Sequence, residues 1–365
     1  MVEQAAVPQV PSVARRALNV FRAWTTPASP SEYLELVNPL WTTRELLGSI
    51  VEIRPETPDS ATIVLKPSRP WPGHEAGQWF RVGVNINGVR HWRAFTLTSD
   101  GDHPDGLVAL TIKRVEGGLM SSYLLDEATQ GTVLYLGEVQ GDFTLTERPT
   151  EPLLFVSAGS GVTPFFALLR HLERQGWIDD IIHLDCVRTE DDLIFADALR
   201  DLDEREDGYR LIPWFSKKDG RLEPDKLDEL VPDWRERKTY LSGPPGMIDV
   251  FKEHWKEAGL EDRFELERFQ PKAGADVEAG QGGTIRFRVS DTEAEADGST
   301  PILEAGEDAG LSLRFGCRMG ICHTCVGKLA EGQVRNLSTG EVGGNPGDMI
   351  RICINCPEGH VEVEL

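Results

Sequence analysis

Five of the six cysteines in this 365-residue sequence lie between Cys317 and Cys356. Thiols crowded into one segment of a cysteine-poor chain point to metal rather than to a disulfide framework, which would spread along the sequence. Cys317, Cys322 and Cys325 have C-x4-C-x2-C spacing, which with one distant fourth cysteine suits a [2Fe–2S] cluster. Two irons need four converging thiolates, so a tight loop supplies three. Cys353 and Cys356 compete to be the fourth. Gly316 and Gly320 let the loop wrap closely and bring amides toward the sulfurs, which stabilises an added electron. The pairs Cys322/Cys325 and Cys353/Cys356 could instead hold zinc. That alternative needs a longer gap than a zinc ribbon has and leaves Cys317 idle, so the cluster is the stronger reading.

Two further sets of residues could bind phosphate-bearing cofactors. In Val156-Ser-Ala-Gly159-Ser-Gly161-Val-Thr163-Pro164 a strand runs into a helix. Glycines there permit a sharp turn and close approach of a diphosphate to the helix N-terminus. Thr163 is expected as the N-cap and Pro164 as the first helical residue. The turn lacks the full G-x-G-x-x-G, so alone it is a glycine-rich turn of any α/β protein. Arg93-Ala-Phe95-Thr96-Leu-Thr-Ser99 places a guanidinium, a ring and a hydroxyl on one strand. These suit a flavin's phosphate, face and edge. Gly117-Gly-Leu-Met-Ser121-Ser122 opens a helix that could take an anion. By themselves both stretches also read as ordinary strand and cap residues.

The elements that must position these groups are legible from periodicity. Residues 47–147 are β-rich: 78–86, 91–99 and 106–115 alternate with period two between Gly, Asp and Pro turns, as in an antiparallel barrel. A short helix is expected at 119–128, then a strand in TVLYLGEV. From 148 to 269, strands (PLLFVSAG, DIIHLDCV, YRLIPWF, KTYLSGP, RFELERF) alternate with helices near 164–175, 193–205, 223–230 and 245–258. That order predicts a parallel sheet with helices on both faces. Residues 270–283, rich in Gly and Ala, read as a flexible linker. Residues 284–365 form a last compact unit with thirteen acidic against seven basic residues.

Length alone implies two or three domains. A formal charge of −22 argues against nucleic acid as a partner and favours basic protein faces. The run Pro152–Leu169 has nearly membrane-span length, but its glycines, serines and proline would break a spanning helix. The lead, 1–46, shows no signal peptide. Its segment 12–24 could form a helix with Val13, Ala17, Val20, Phe21 and Trp24 on one face and Arg15, Arg16 and Arg22 elsewhere. Packing on the next domain is the simpler role for it; peripheral contact with an anionic membrane is the other. Cys186 reads as a buried apolar residue, and the histidines show no metal-ligand spacing.

Taken together and in this order, the motifs resemble the ferredoxin–NADP reductase superfamily with a fused plant-type ferredoxin, over about 47–365. The matching features are Gly77-Gln78, Arg93–Thr96, Gly118–Ser121, Gly159–Pro164, Gly243-Pro244-Pro245-Gly246-Met247 and Glu267-Arg-Phe269. The resemblance implies a multidomain fold: an antiparallel β-barrel flavin domain, an α/β parallel-sheet nucleotide domain and an α+β, β-grasp-like ferredoxin domain. It implies that Arg93, Phe95, Thr96, Leu97 and Thr98 line the flavin. Gly117, Gly118, Met120 and Ser121 would serve its diphosphate, as FAD. Gly159, Gly161, Thr163, Pro164, Gly243, Pro244 and Met247 would bind NADPH or NADH. Ser216 and Lys217, with Arg188, would favour NADPH through its 2′-phosphate. Thr96 and Ser242 would sit near flavin and nicotinamide, positioning rather than acting as acid or base. The Cys353-Ile-Asn-Cys356-Pro357 run resembles the C-x3-P ending of plant-type ferredoxins, which makes Cys353 the fourth ligand with Cys317, Cys322 and Cys325. Two departures stand out: Phe95 where the family usually has Tyr, and Ser242 where many members have Cys.

Such a set of cofactors converts two electrons to one, because nicotinamide gives a hydride, a cluster accepts one electron and a flavin does both. PLWTTRELLGSIVEIRPETPDSATIVLKP and GVRHWRAFTLTS resemble reductases that serve membrane-bound diiron acyl desaturases and alkane hydroxylases. The expectation is therefore a monomeric, cytoplasmic reductase of such a partner. A soluble ring-hydroxylating oxygenase is the alternative acceptor, and a non-catalytic redox-sensing or zinc-binding module the alternative from another class.

Overall fold

A computed structural model describes residue 40 and residues 45–365, apart from 70, 87, 100, 102–104, 268–279, 312, 316–319, 321–323 and 338. The expected helix at 12–24, residues 270–279 of the expected linker, Phe269, Cys317 and Cys322 lie outside the described residues.

The first unit is a six-stranded antiparallel sheet in the order β4-β3-β6-β1-β2-β5. Its strands are β1 (Leu46–Thr57), β2 (Ser60–Pro67), β3 (Trp79–Ile86), β4 (Val89–Thr96), β5 (Val108–Lys113) and β6 (Val133–Gln140). The sheet closes on itself just past β4, where Leu97 bridges Leu110 and the Thr98 amide donates to the Ala109 carbonyl at 2.8 Å. Alternate residues point inward, so Ile50, Ile63, Leu65, Phe80, Val82, Leu97, Leu110 and Leu134 fill the barrel. Each such side chain taken out of water contributes about 1.5–3 kcal/mol. The expected helix at 119–128 is a single turn, α1 (Leu119–Ser122), widening into a π-turn at Tyr123–Glu127. Met120 and Leu124 plug the barrel from there.

The second unit is a five-stranded parallel sheet, order β11-β10-β7-β8-β9. It comprises β7 (Leu153–Ala158), α2 (Val162–Gln175), β8 (Ile181–Val187), α3 (Ala196–Arg205), β9 (Tyr209–Phe215), α4 (Ser216–Asp219), α5 (Leu227–Leu230), β10 (Lys238–Ser242), α6 (Pro245–Glu257) and β11 (Phe264–Glu267). One face buries Phe155, Tyr240 and His183 against Phe165 of α2 and Phe143 of the chain leaving the barrel. The other buries Val156, Leu184 and Leu241 against Leu227, Trp234, Phe251 and Trp255. Helices thus cover both faces, which is why these strands read as continuous apolar runs.

The third unit contains β12 (Gly280–Phe287), β13 (Thr292–Gly298), α7 (Ile302–Asp308), β14 (Val326–Asn336), β15 (Val342–Gly343), β16 (Met349–Arg351) and β17 (Asn355–Glu364). The sheet order is β13-β12-β17-β14-β15, with β16 on β14 and β12 parallel to β17. Residues 280–283, expected at the end of the linker, belong to β12 instead. They lack side-chain alternation because the strand is bulged between Gly280 and Gly283, and a side chain on Gly283 would collide with the Gly359 backbone. Only glycine allows strands this close there.

Candidate functional site

Cys325 and Cys353 are 1% and 4% exposed and lie in one core cluster. The Ile352 amide donates to the Cys325 carbonyl at 2.9 Å, which ties the two cysteine-bearing segments together. Arg351 Nη1 donates to the Gly320 carbonyl at 2.7 Å, so the loop is also held from β16. Gly320 has φ +72°, and a side chain there would run into Ile354. Cys356 faces elsewhere: its thiol donates to the Gly298 carbonyl at 3.2 Å, and burial pushes its pKa up. Two buried soft thiols on adjoining segments, beside a glycine-hinged loop, are donors suited to iron.

On the barrel, Arg93 and Phe95 share a face of β4, opposite Val82 and Phe80 of β3. Arg93 Nη1 donates to the Trp92 carbonyl at 2.8 Å. Thr96 is buried beside them, whereas Leu97 fills the barrel core. Thr98 lies on the seam between the two units, where its carbonyl accepts Arg170 Nη1 at 3.3 Å. In the turn before α1, Gly117 has φ +69°. Ser121 Oγ donates to the Gly118 carbonyl at 3.1 Å and accepts the Val115 amide at 3.2 Å, bracing that turn. Met120 is committed to the barrel core. Arg93 and Phe95 therefore share one face of the strand, Thr96 points to the other, and Leu97 and Met120 are committed to the barrel core.

The two glycine loops of the parallel sheet meet. Ser242 pairs with Ser157 in register, so the turns following β10 and β7 emerge side by side. Gly161 packs on the Ser242 carbonyl and the Gly243 amide, with no room for a side chain. A methyl at Gly243 would lie 3.1 Å from the Ala158 Cβ and 3.4 Å from the Met247 sulfur. The expected N-cap role of Thr163 is not met. A 3-10 turn at Gly159–Gly161 runs directly into α2, the helix begins at Val162, and Thr163 Oγ1 donates back to the Ser160 carbonyl at 2.9 Å. Pro164 is accordingly the third helical residue. Arg188 and Ser216–Lys217 also come together: the Lys217 amide donates to the Arg188 carbonyl at 3.0 Å, and Ser216 Oγ to the Val187 carbonyl at 3.1 Å.

A buried polar chain on the same sheet went unnoticed in the sequence. Ser157 Oγ donates to Asp185 Oδ1 at 2.6 Å and lies 2.8 Å from His183 Nε2; His183 Nδ1 lies 2.9 Å from the Tyr209 hydroxyl. Burial lowers the His183 pKa to about 3 and raises that of Asp185 to about 7. The rung continues outward through Ser242, whose buried Oγ has no hydrogen-bond partner among the described residues, to Glu267. Burial, with the charge of Asp142, raises the Glu267 carboxyl to about 7. The available signal was the pair His183 and Asp185, two positions apart on one face of an apolar strand. Cys186 is half-buried against the core rather than fully buried as expected, and burial with the Asp185 charge pushes its thiol well up.

Three families match in the order of the three units: an oxidoreductase FAD-binding domain over 50–144, an oxidoreductase NAD-binding domain over 155–253, and a 2Fe-2S iron-sulfur cluster binding domain over 287–357. An NADPH oxidoreductase of Mycobacterium tuberculosis is 39% identical, over 93% of this chain and 90% of its own length. The glycine betaine monooxygenase reductase subunit of Pseudomonas aeruginosa is 26% identical, over 89% of this chain and 96% of its own. Among solved structures, phthalate dioxygenase reductase shares the fold with a TM-score of 0.60 at 20% identity, covering 88% of this chain and 98% of that one. The chain belongs to the ferredoxin–NADP reductase superfamily with a C-terminal [2Fe–2S] domain. It is an NAD(P)H-dependent oxidoreductase that uses FAD and a [2Fe–2S] cluster, and the zinc-module alternative falls with that finding. Among the described residues no helix is long and apolar enough to cross a membrane.

Proposed function

We propose that this reductase takes a hydride from NADPH and delivers single electrons to an oxygen-activating partner, a membrane-bound diiron acyl desaturase or alkane hydroxylase. The observation that carries the reading is the convergence of buried Cys325 and Cys353 while Cys356 is spent on Gly298. It supports Cys317, Cys322, Cys325 and Cys353 as the ligand set. FAD, when bound, supplies the step from hydride to single electrons. Arg93 serves the flavin's phosphate with a fixed fork of donors, Phe95 its ring face, and Thr96 its edge. Gly117 and Gly118 let the backbone approach the diphosphate, and Ser121 holds that turn in shape. Gly159, Gly161, Gly243 and Pro244 bind the pyridine nucleotide, and buried Ser242 excludes water beside it. Arg188 and Lys217 support NADPH over NADH, and Ser216 holds their loop.

The narrower choice of partner rests on the resemblance of the lead and β4 segments, with the basic stretch at 12–24 as the point of membrane contact. A soluble ring-hydroxylating oxygenase is the alternative acceptor, and a monooxygenase partner is favoured by a different observation, the monooxygenase reductase subunit among the relatives. The purified protein is expected to bleach with NADPH and to reduce cytochrome c. Reconstitution with a desaturase in vesicles and with a soluble ring-hydroxylating oxygenase then separates the two acceptors. No bleaching with either nucleotide would end the proposal.

A further inference from the structure

Phe315, the residue just before the cysteine loop, bridges two units of the fold. On one side it packs with Leu311 and Leu313 against the core that holds Cys325 and Cys353. On the other it meets β4. The Arg93 guanidinium carbon lies 4.9 Å from its ring centroid, over the face, and the His91 ring is 6.1 Å away, edge to face at 64°. His91 and Arg93 alternate along β4, so one strand face presents both to the same ring. Burial and the Arg93 charge lower the His91 pKa, which favours the uncharged ring beside the guanidinium.

We infer that Phe315 is a positioning residue for electron transfer: it clamps the cysteine loop onto the flavin strand through Arg93 and His91, and so fixes the distance an electron crosses. This rests on the reading in which β4 carries the flavin. Each hydride brings two electrons. They leave one at a time for the cluster, each converting one ferric iron to ferrous before passing to cytochrome c or the oxygenase, and the proton goes to solvent. Tunnelling falls exponentially with distance, so loosening this joint slows the second transfer and spares the first. Because Arg93 touches Phe315 and also serves the flavin's phosphate, the joint links flavin occupancy to the placement of the cluster unit.

Anaerobic stopped-flow mixing of the holoenzyme with NADPH, following flavin and cluster absorbance separately, tests this. Phe315→Ala should keep flavin bleaching within twofold of wild type and slow cluster bleaching at least tenfold, with Phe315→Tyr restoring most of it. Small-angle X-ray scattering should show a larger radius of gyration for Phe315→Ala as the cluster unit swings away. Unchanged cluster kinetics at full iron content, or an unchanged radius of gyration, overturns the inference. If Phe315→Ala loses iron, His91→Ala decides. Its substitution is on the barrel strand and changes no residue of the cluster unit, and slower cluster bleaching supports the joint while wild-type bleaching overturns it. Failure of wild-type flavin to bleach would sink the functional reading instead.

Discussion

Gly161 is packed so tightly on Ser242 that even a methyl group at position 161 would overlap the Ser242 carbonyl oxygen. The contact joins the glycine turns after β7 and β10, which the pairing of Ser157 with Ser242 has already brought level. Gly161→Ala must push one turn away from the other. Overpacking of this kind costs about 1–3 kcal/mol, and the displaced turn should weaken NADPH binding at least tenfold. Isothermal titration with NADPH checks this, and binding as tight as wild type would separate the glycine contact from nucleotide recognition.

Cys353 and Cys356 should respond oppositely to serine. Cys353→Ser removes a soft ligand from the core shared with Cys325, so the purified variant should lose most of its iron and its brown colour. Cys356→Ser keeps a donor for the Gly298 carbonyl and should retain full iron content. Iron analysis and visible spectra read both at once; the reverse pattern would make Cys356 the ligand.

What the sequence made legible follows from what periodicity carries. Strand alternation and the βα rhythm are local, so the barrel and the parallel sheet are legible in the sequence, whereas the Gly243 loop is marked only by the family resemblance. Thr163 departs from the expected cap because a cap residue is indistinguishable in sequence from one just inside the helix when a 3-10 segment feeds it. Residues 280–283 look like linker because three glycines and a glutamine show no alternation, although the bulge and the Gly359 contact need glycine. The Phe315–Arg93 contact joins residues more than two hundred positions apart, and no local pattern marks such a meeting.

Coenzyme choice should reside in Lys217 and Arg188, which the hydrogen bond between their backbones places at neighbouring strand ends. Lys217→Ala and Arg188→Ala should each raise KM for NADPH about tenfold, about 1.4 kcal/mol of lost charge pairing, and leave that for NADH within twofold. Ser216→Ala should chiefly loosen the loop, since its hydroxyl is held by the Val187 carbonyl. Steady-state kinetics with both nucleotides check the split. Equal losses for NADH would mean that these cations do not read the 2′-phosphate.

Asp185 and His183 should oppose each other in the pH dependence of stability. Burial holds Asp185 near 7 in the folded chain against about 3.9 unfolded, so its contribution is full below about pH 4 and is lost as pH rises toward 7. Burial holds His183 near 3 against about 6.5 unfolded; its contribution is full above about 6.5 and is lost as pH falls. Between about 4 and 6.5 the two slopes cancel, each about 1.4 kcal/mol per pH unit. Tyr209, its pKa raised by burial and by the Asp185 charge, stays protonated throughout, as does the Cys186 thiol. Asp185→Asn keeps an acceptor for Ser157 and removes one slope. The variant's unfolding free energy should therefore climb relative to wild type by about 1.4 kcal/mol per unit from pH 4 to 6.5. Urea unfolding at half-unit pH steps measures the difference. Parallel curves for the two proteins would mean that Asp185 is already ionised in the fold, and that water or a charge reaches its second oxygen.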